Sequence, residues 1–340
     1  MLTLLAGCAS NPPAHPPPPP SAPAAAAAPT TSASRPDAAT LRLQQDLAAV
    51  FGADIMAHAQ WAVSIRSLDS GELLYALNPG KMMVPASNMK IVTLAVAAEA
   101  LGWDRRFTTT LETSGSIEAG VLRGDLIVRG GGDPTINTRE GRGAAVFAEW
   151  CATLQALGIH EIEGRVIGDD QLFDDEGLGG GWAWDYLQYG YAAPVGALQF
   201  NENVASLVVL PGAAAGDPAV LTFPAGTGLS VWNRAFTGAP GTPETIDFRR
   251  HLDRPMLEIT GSVPLAPASP DDAAADRIRT VVRQVAVVNP TLYFAQAFED
   301  ALAAAGIRVT GAAADFDDVA PALVGVAAER RVLATTVSPP

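Results

Sequence analysis

The sequence predicts an α+β fold on three patterns. Apolar residues recur at helical spacing in residues 38–51, in Ile91, Leu94, Ala95, Ala98 and Leu101, and in Leu292, Ala295, Phe298 and Leu302. Between the first two helices, Trp61, Val63 and Ile65 alternate with Ala62, Ser64 and Arg66. That run breaks at residues 69–72 and resumes from Leu73 to Leu77, the signature of a β-hairpin with one face toward a core. A long middle stretch, from Arg105 to about Val281, reads as short strands, Gly and Pro turns and one or two helices. With 340 residues, 48% of them hydrophobic, the chain can bury a large core in two or more lobes.

The head of the chain differs from the rest. Leu5-Ala6-Gly7-Cys8 resembles the lipobox of bacterial lipoproteins, and that resemblance implies export and lipidation at Cys8. The positive n-region and most of the apolar h-region of an export signal are missing, so the expected start lies further upstream. The other reading is a plain hydrophobic start. After Cys8, Pro, Ala, Ser and Thr dominate as far as Arg35. Such a stretch buries too little apolar surface to fold, and its prolines favour extended polyproline II, as in a tether. Cys151 is the only other cysteine, which leaves no disulfide framework and no Cys metal site. It sits in an amphipathic helical pattern and reads as core. No later stretch approaches the roughly 18 uninterrupted apolar residues of a membrane span.

Charge excludes one class of partner. The chain has 36 Asp plus Glu against 22 Lys plus Arg, a formal net charge of -14, whereas nucleic acid calls for a basic surface. The four histidines, His15, His58, His160 and His251, show no metal-ligand spacing, and Gly-x-Ser-x-Gly is absent. No metal and no cofactor are expected.

The chemistry concentrates at Pro85-Ala86-Ser87-Asn88-Met89-Lys90, where an apolar helix begins. Only two lysines occur in the chain, Lys81 and Lys90. Residues three apart on a helix share a face, so Ser87 and Lys90 fall side by side. A serine hydroxyl needs a base to take its proton, and a lysine serves if burial lowers its pKa. The helix N-terminus adds free N–H groups and partial positive charge, suited to the oxyanion of an attacked carbonyl. Two readings stand here: a nucleophile with its base, or a helix cap beside an exposed lysine.

Other blocks have physical readings of their own. Residues 124–135, GDLIVRGGGDPT, are a strand running into a glycine turn that needs positive φ, and no phosphate loop, because Gly-x-x-x-x-Gly-Lys is absent. Residues 181–191, GWAWDYLQYGY, crowd Trp182, Trp184, Tyr186, Tyr189 and Tyr191 around Asp185. They read either as a wall for a peptide side chain, with Asp185 meeting an amine, or as a core corner stapled by hydrogen bonds. Asn289 and Pro290 make an N-cap and first-turn signal for a helix that Gly306 ends.

The hairpin followed by VPASNMKIVTLAVAAEALG resembles the Ser-x-x-Lys helix of penicillin-binding proteins and serine β-lactamases. With RFTTTLETSG, GDLIVRGGGDPTI, IEGRVIGDDQLFDDE, GWAWDYLQYGYAAPVGALQFNENV and NPTLYFAQAFEDALAAAGIRVTG in order, the chain from about Leu41 to Pro340 resembles the D-alanyl-D-alanine carboxypeptidase/endopeptidase family, peptidase S13. The resemblance implies a penicillin-binding-protein/β-lactamase-like catalytic domain interrupted by a mostly β insertion. The expected divisions are 1–37 export segment and linker, 38–104 first part of the catalytic domain, 105–281 insertion, and 282–340 return to the catalytic domain. It also implies Ser87 as nucleophile, Lys90 as base, Trp182 and Asp185 as substrate-binding candidates, and a periplasmic or envelope setting. The implied ligands are peptidoglycan stem peptides ending in D-Ala-D-Ala, and β-lactams.

Two family motifs are missing. No serine is followed two places on by asparagine, and neither lysine starts a Lys-Thr-Gly. In the family, the first relays a proton and holds the substrate amide, while the second binds the substrate carboxylate and supplies an oxyanion donor. The catalytic domain is therefore expected to be incomplete and truncated at its C-terminus. One alternative is a catalytically impaired, envelope-binding remnant of the family. The other is a β-lactamase-like hydrolase, although such enzymes usually lack so large an insertion.

Overall fold

The computed structural model describes residues 37–139, 141–265, 280–323 and 330–340. Cys8 and the Pro/Ala-rich stretch lie outside them. The chain divides into two compact units, Met1–Leu94 and Ala95–Pro340, with the boundary inside a helix.

In the first unit, helix α1 (Ala38–Phe51) starts at Asp37, whose carboxylate accepts from Thr40 N at 2.7 Å. Strands β1 (Val63–Arg66) and β2 (Leu73–Leu77) form the expected antiparallel hairpin, with a register shift between Ile65 and Arg66. Phe51 closes on this hairpin, its ring 5.0 Å from that of Trp61 and 6.0 Å from that of Tyr75. Gln44 Nε2 donates to Leu74 O, fixing α1 to β2. Helix α2 (Met89–Leu101) follows and runs across the boundary.

The second unit opens with β3 (Thr108–Thr113), β4 (Ser116–Glu118), β5 (Val121–Arg123) and β6 (Leu126–Arg129). Helix α3 (Arg142–Ala156), β7 (Glu161–Ile162) and β8 (Val166–Asp169) come next. A β-rich stretch then supplies β9 (Val204–Leu210), β10 (Val220–Thr222), β11 (Ser230–Asn233), β12 (Phe236–Gly238), β13 (Asp247–Arg250), β14 (Met256–Thr260), β15 (Ser262–Pro264) and β16 (Val281–Ala286). Helix α4 (Pro290–Ala304), β17 (Arg308–Val309), β18 (Ala314–Asp315), α5 (Phe316–Leu323) and β19 (Arg331–Val337) complete it. Among the described residues of 105–281, strands and the turns between them outweigh helix, and α3 is the one α-helix.

Two cores result. A five-stranded sheet, β18-β8-β6-β3-β19, and a four-stranded sheet, β17-β7-β5-β4, pack with α3 and α4 around Trp150, Phe147, Phe294 and Phe298. Leu126, Ile127 and Val128 are all buried because β6 lies inside the sheet beside parallel β8, so both of its faces are covered. Helix α4 begins as the sequence predicts, with Asn289 Oδ1 accepting from Leu292 N at 2.7 Å and Pro290 in the first turn. Ala295, Phe298 and Leu302 are buried, and Cys151 packs in the same core. Burial raises the Cys151 thiol pKa above its ordinary value, as expected of an inert core cysteine. The second core, around Leu207, Val209, Leu257, Ile259 and Val285, lies among the sheets β10-β9-β16 and β11-β14-β13 and the pair β12-β15.

The glycine turn forms as predicted, but for a mixed reason. Gly132 has φ 86°, whereas Gly130 and Gly131 have no positive φ and are required by close approach. A Cβ on Gly131 would stand 1.9 Å from Thr108 O, and one on Gly130 2.3 Å from Ala197 O.

Candidate active site

Ala86, with a left-handed φ of 46°, leads the chain into a 3₁₀ turn, Ala86–Asn88, and directly on into α2. A non-glycine residue in that region is strained. Here it immediately precedes Ser87. Lys90, in the first turn of α2, donates from Nζ to Ser87 Oγ at 3.2 Å. The spacing in the sequence is therefore a contact in space, with Ser87 carried by the 3₁₀ turn and Lys90 by the α-helix.

The surroundings of this pair are open. Ser87 and Lys90 are exposed, and α2 has no buried residue. Its apolar side chains point to all sides, with Ile91 71% and Leu94 68% exposed. A helix apolar all round belongs inside a core, so α2 presents a surface that calls for a covering layer. A lysine works as a base near neutrality only when it is taken out of water. Among the described residues, nothing supplies that burial. A neutral amine would reverse the observed bond, accepting the proton from Ser87 Oγ.

Trp182 and Asp185 lie in the second unit, Trp182 just before and Asp185 within a 3₁₀ turn at Trp184–Tyr186. Trp182, Trp184, Tyr186 and Tyr191 are exposed. Tyr189 packs against the second core, edge-on to Phe248 at 5.6 Å. The core-corner reading thus fits Tyr189, while the other rings line the surface. The Asp185 backbone carbonyl accepts from Gln188 Nε2 at 2.9 Å, and its carboxylate faces solvent.

One arrangement escaped the sequence reading. Oxygens of Asp170, Asp315 and Asp317 lie within 4.8 Å of one another, the one grouping of metal-ligand type among the described residues. Thr291 Oγ1 donates to Asp170 Oδ2 and Asn289 Nδ2 to Asp315 Oδ2, so neutral groups hold it together. Burial, reinforced by neighbouring carboxylates, raises the pKa of Asp315 and Asp317 above the usual range. Its members stand far apart in sequence, and the signal that could have found them, a short acidic run at residues 169–170 and another at 315–318, is common on acidic surfaces.

The description D-Ala-D-Ala carboxypeptidase 3 (S13) family applies to a family model that matches residues 43–339. A D-alanyl-D-alanine carboxypeptidase of Actinomadura sp. (strain R39) is 32% identical over 286 residues, covering 82% of this chain and 50% of that protein. The D-alanyl-D-alanine carboxypeptidase DacB of Haemophilus influenzae is 30% identical over 138 residues, 41% of this chain and 28% of that protein. The crystal structure of penicillin binding protein 4 (dacB) from Haemophilus influenzae superposes with a TM-score of 0.60 at 22% identity, covering 82% of this chain and 56% of that one. The same protein complexed with a novel β-lactam gives a TM-score of 0.54 at 19% identity, covering 82% and 54%. The fold is penicillin-binding-protein-like, and the chain spans half or less of the length of the curated relatives it matches. With a match that takes in nearly all of the described residues, this chain belongs to the D-Ala-D-Ala carboxypeptidase 3 (S13) family.

Proposed function

We propose that the chain carries the nucleophile and base of a serine-type D-alanyl-D-alanine carboxypeptidase/endopeptidase acting on peptidoglycan stem peptides. The observation that carries this reading is the Lys90 Nζ to Ser87 Oγ hydrogen bond at 3.2 Å, at the start of α2. In the reaction, Lys90 as a neutral amine takes the hydroxyl proton while Ser87 Oγ bonds to the carbonyl carbon of the penultimate D-alanine. Amides at the start of α2 favour the resulting oxyanion. Collapse breaks the C–N bond, the terminal D-alanine leaves as a protonated amine, and water later hydrolyses the ester on Ser87. A β-lactam follows the same first step, its ring amide opening onto Ser87 with no fragment lost.

Trp182 and Asp185 enter as substrate contacts, the indole as an apolar wall and the carboxylate as partner for an amine. The reading extends to a periplasmic or envelope location with a lipid tether at Cys8, supported by Leu5 to Cys8 and the Pro-rich stretch after it.

These 340 residues hold neither Ser-x-Asn nor Lys-Thr-Gly, and α2 has no buried residue. Loss of one oxyanion donor alone slows acyl transfer by on the order of 100 to 1,000-fold. Fluorescent penicillin should therefore label the 340-residue chain at least about 100-fold more slowly than a chain extended through both motifs. In the extended chain, Ser87→Ala should abolish label, Lys90→Ala should slow it by about 100-fold or more, and Asp185→Asn should weaken turnover of amine-bearing stem peptides. Label that persists in Ser87→Ala would overturn the assignment. Rapid stoichiometric labelling of the 340-residue chain would show that other residues complete the site.

A further inference from the structure

A cleft of about 480 Å³ in the second unit is lined by Tyr191, Gln284, Ser206, Arg139 and Glu202 among others. Its floor is sheet: Gln284 and Ser206 are paired residues of β16 and β9, joined by a Gln284 Nε2 to Ser206 Oγ hydrogen bond at 3.1 Å. Its aromatic wall is fixed. An antiparallel bridge between Tyr189 and Val285 ties the 189–191 turn to β16, and Tyr191 stacks on Tyr189 at 5.5 Å and meets Tyr186 edge-on at 5.7 Å. Even so, Tyr191 is 67% exposed. The remaining wall includes Asn201 and Glu202, which with the buried Asn203 form a run of three left-handed residues, with φ of 51°, 58° and 56°. Hydrogen bonds hold it, from Thr138 Oγ1 to Asn201 Oδ1 at 2.6 Å and from Asn203 Nδ2 to Pro194 O at 2.8 Å.

We infer that this cleft binds a saccharide, with the pyranose face on Tyr191 and its hydroxyl or acetamido groups on Gln284 and Ser206. Three observations select that class. Among the described residues that line the cleft, the charged ones, Arg139 and Glu202, are paired at 3.0 Å and sum to no net charge. Its other polar groups are neutral and include both donors and acceptors, as a polyhydroxylated ligand requires. The aromatic surface is a single pre-positioned ring face, whose negative quadrupole suits the C–H bonds on one face of a sugar and covers too little area for a lipid chain. On the peptidoglycan reading above, on which this identification of the polymer rests, the ligand is the glycan strand that bears the stem peptides.

The probe is the β-1,4-linked tetramer of N-acetylglucosamine, titrated into the 340-residue chain by calorimetry and by NMR. Saturable binding should weaken roughly tenfold in Tyr191→Ala, persist in Tyr191→Phe, and weaken roughly three- to tenfold in Gln284→Ala. Ser87→Ala should bind the sugar like the wild type, so this result stands or falls independently of the acylation chemistry. No binding at millimolar tetramer, binding indifferent to Tyr191→Ala, or displacement of the tetramer by a free stem peptide would each overturn the proposal.

Discussion

Replacing Arg330 with methionine removes the one cation shared by two buried carboxylates. Arg330 Nη1 lies 2.5 Å from Asp169 Oδ2 and 3.5 Å from Glu112 Oε2, and the two acidic side chains are 4% and 8% exposed. The guanidinium also stacks over Phe316 at 5.1 Å, and the methionine stem keeps much of that packing. What is lost is charge compensation. Breaking a buried pair by removing one partner costs about 3–5 kcal/mol. Two neutral donors stay behind, Thr110 Oγ1 on Glu112 at 2.7 Å and Gln171 N on Asp169 at 3.2 Å, which argues for the lower end. With a urea m-value of roughly 2–3 kcal/mol/M, the denaturation midpoint should fall by roughly 1–2 M. Adding Asp169→Asn to Arg330→Met should recover part of the loss, because it removes one of the repelling charges. The assay is urea titration by circular dichroism, with amide exchange in β6 and β8 as the local readout. A midpoint shift below about 0.3 M, or a double variant weaker than the single one, would refute the reasoning.

Glu258 sets an acid limit on the second core: hydrogen bonds from Arg234 first, then Arg249, hold its carboxyl at about 2, against an ordinary 4.5. Its contribution is fully present above pH 4.5 and is lost as pH falls through 2, so the stability gap between wild type and Glu258→Gln should narrow over that window; a gap unchanged from pH 5 to pH 2 would contradict it. For the proposed tether, palmitate labelling in a bacterial host, from a start long enough to supply an export signal, should depend on Cys8; label surviving in Cys8→Ala would remove the lipid anchor.

The sequence by itself determined what depends on neighbours along the chain. Helices α1, α2 and α4, the β1–β2 hairpin and the Ser87–Lys90 contact were all legible, since each is set by periodicity, caps or a spacing of three residues. The family resemblance was legible for the same reason, because its blocks are local and ordered. Only the tertiary structure decided the environments of those residues. The exposure of α2 and Lys90 depends on what packs against them, and the strand and helix patterns carry no record of that. Gly130 and Gly131 looked like turn residues, yet the need for glycine comes from Thr108 and Ala197, more than 20 and 60 positions away. The Asp170–Asp315–Asp317 group, the Arg330 ion pairs and the Tyr191 cleft each join segments far apart in the chain. No local pattern could announce them, because long-range pairing is fixed by the whole buried surface and only incidentally by the charged and aromatic side chains that it brings together.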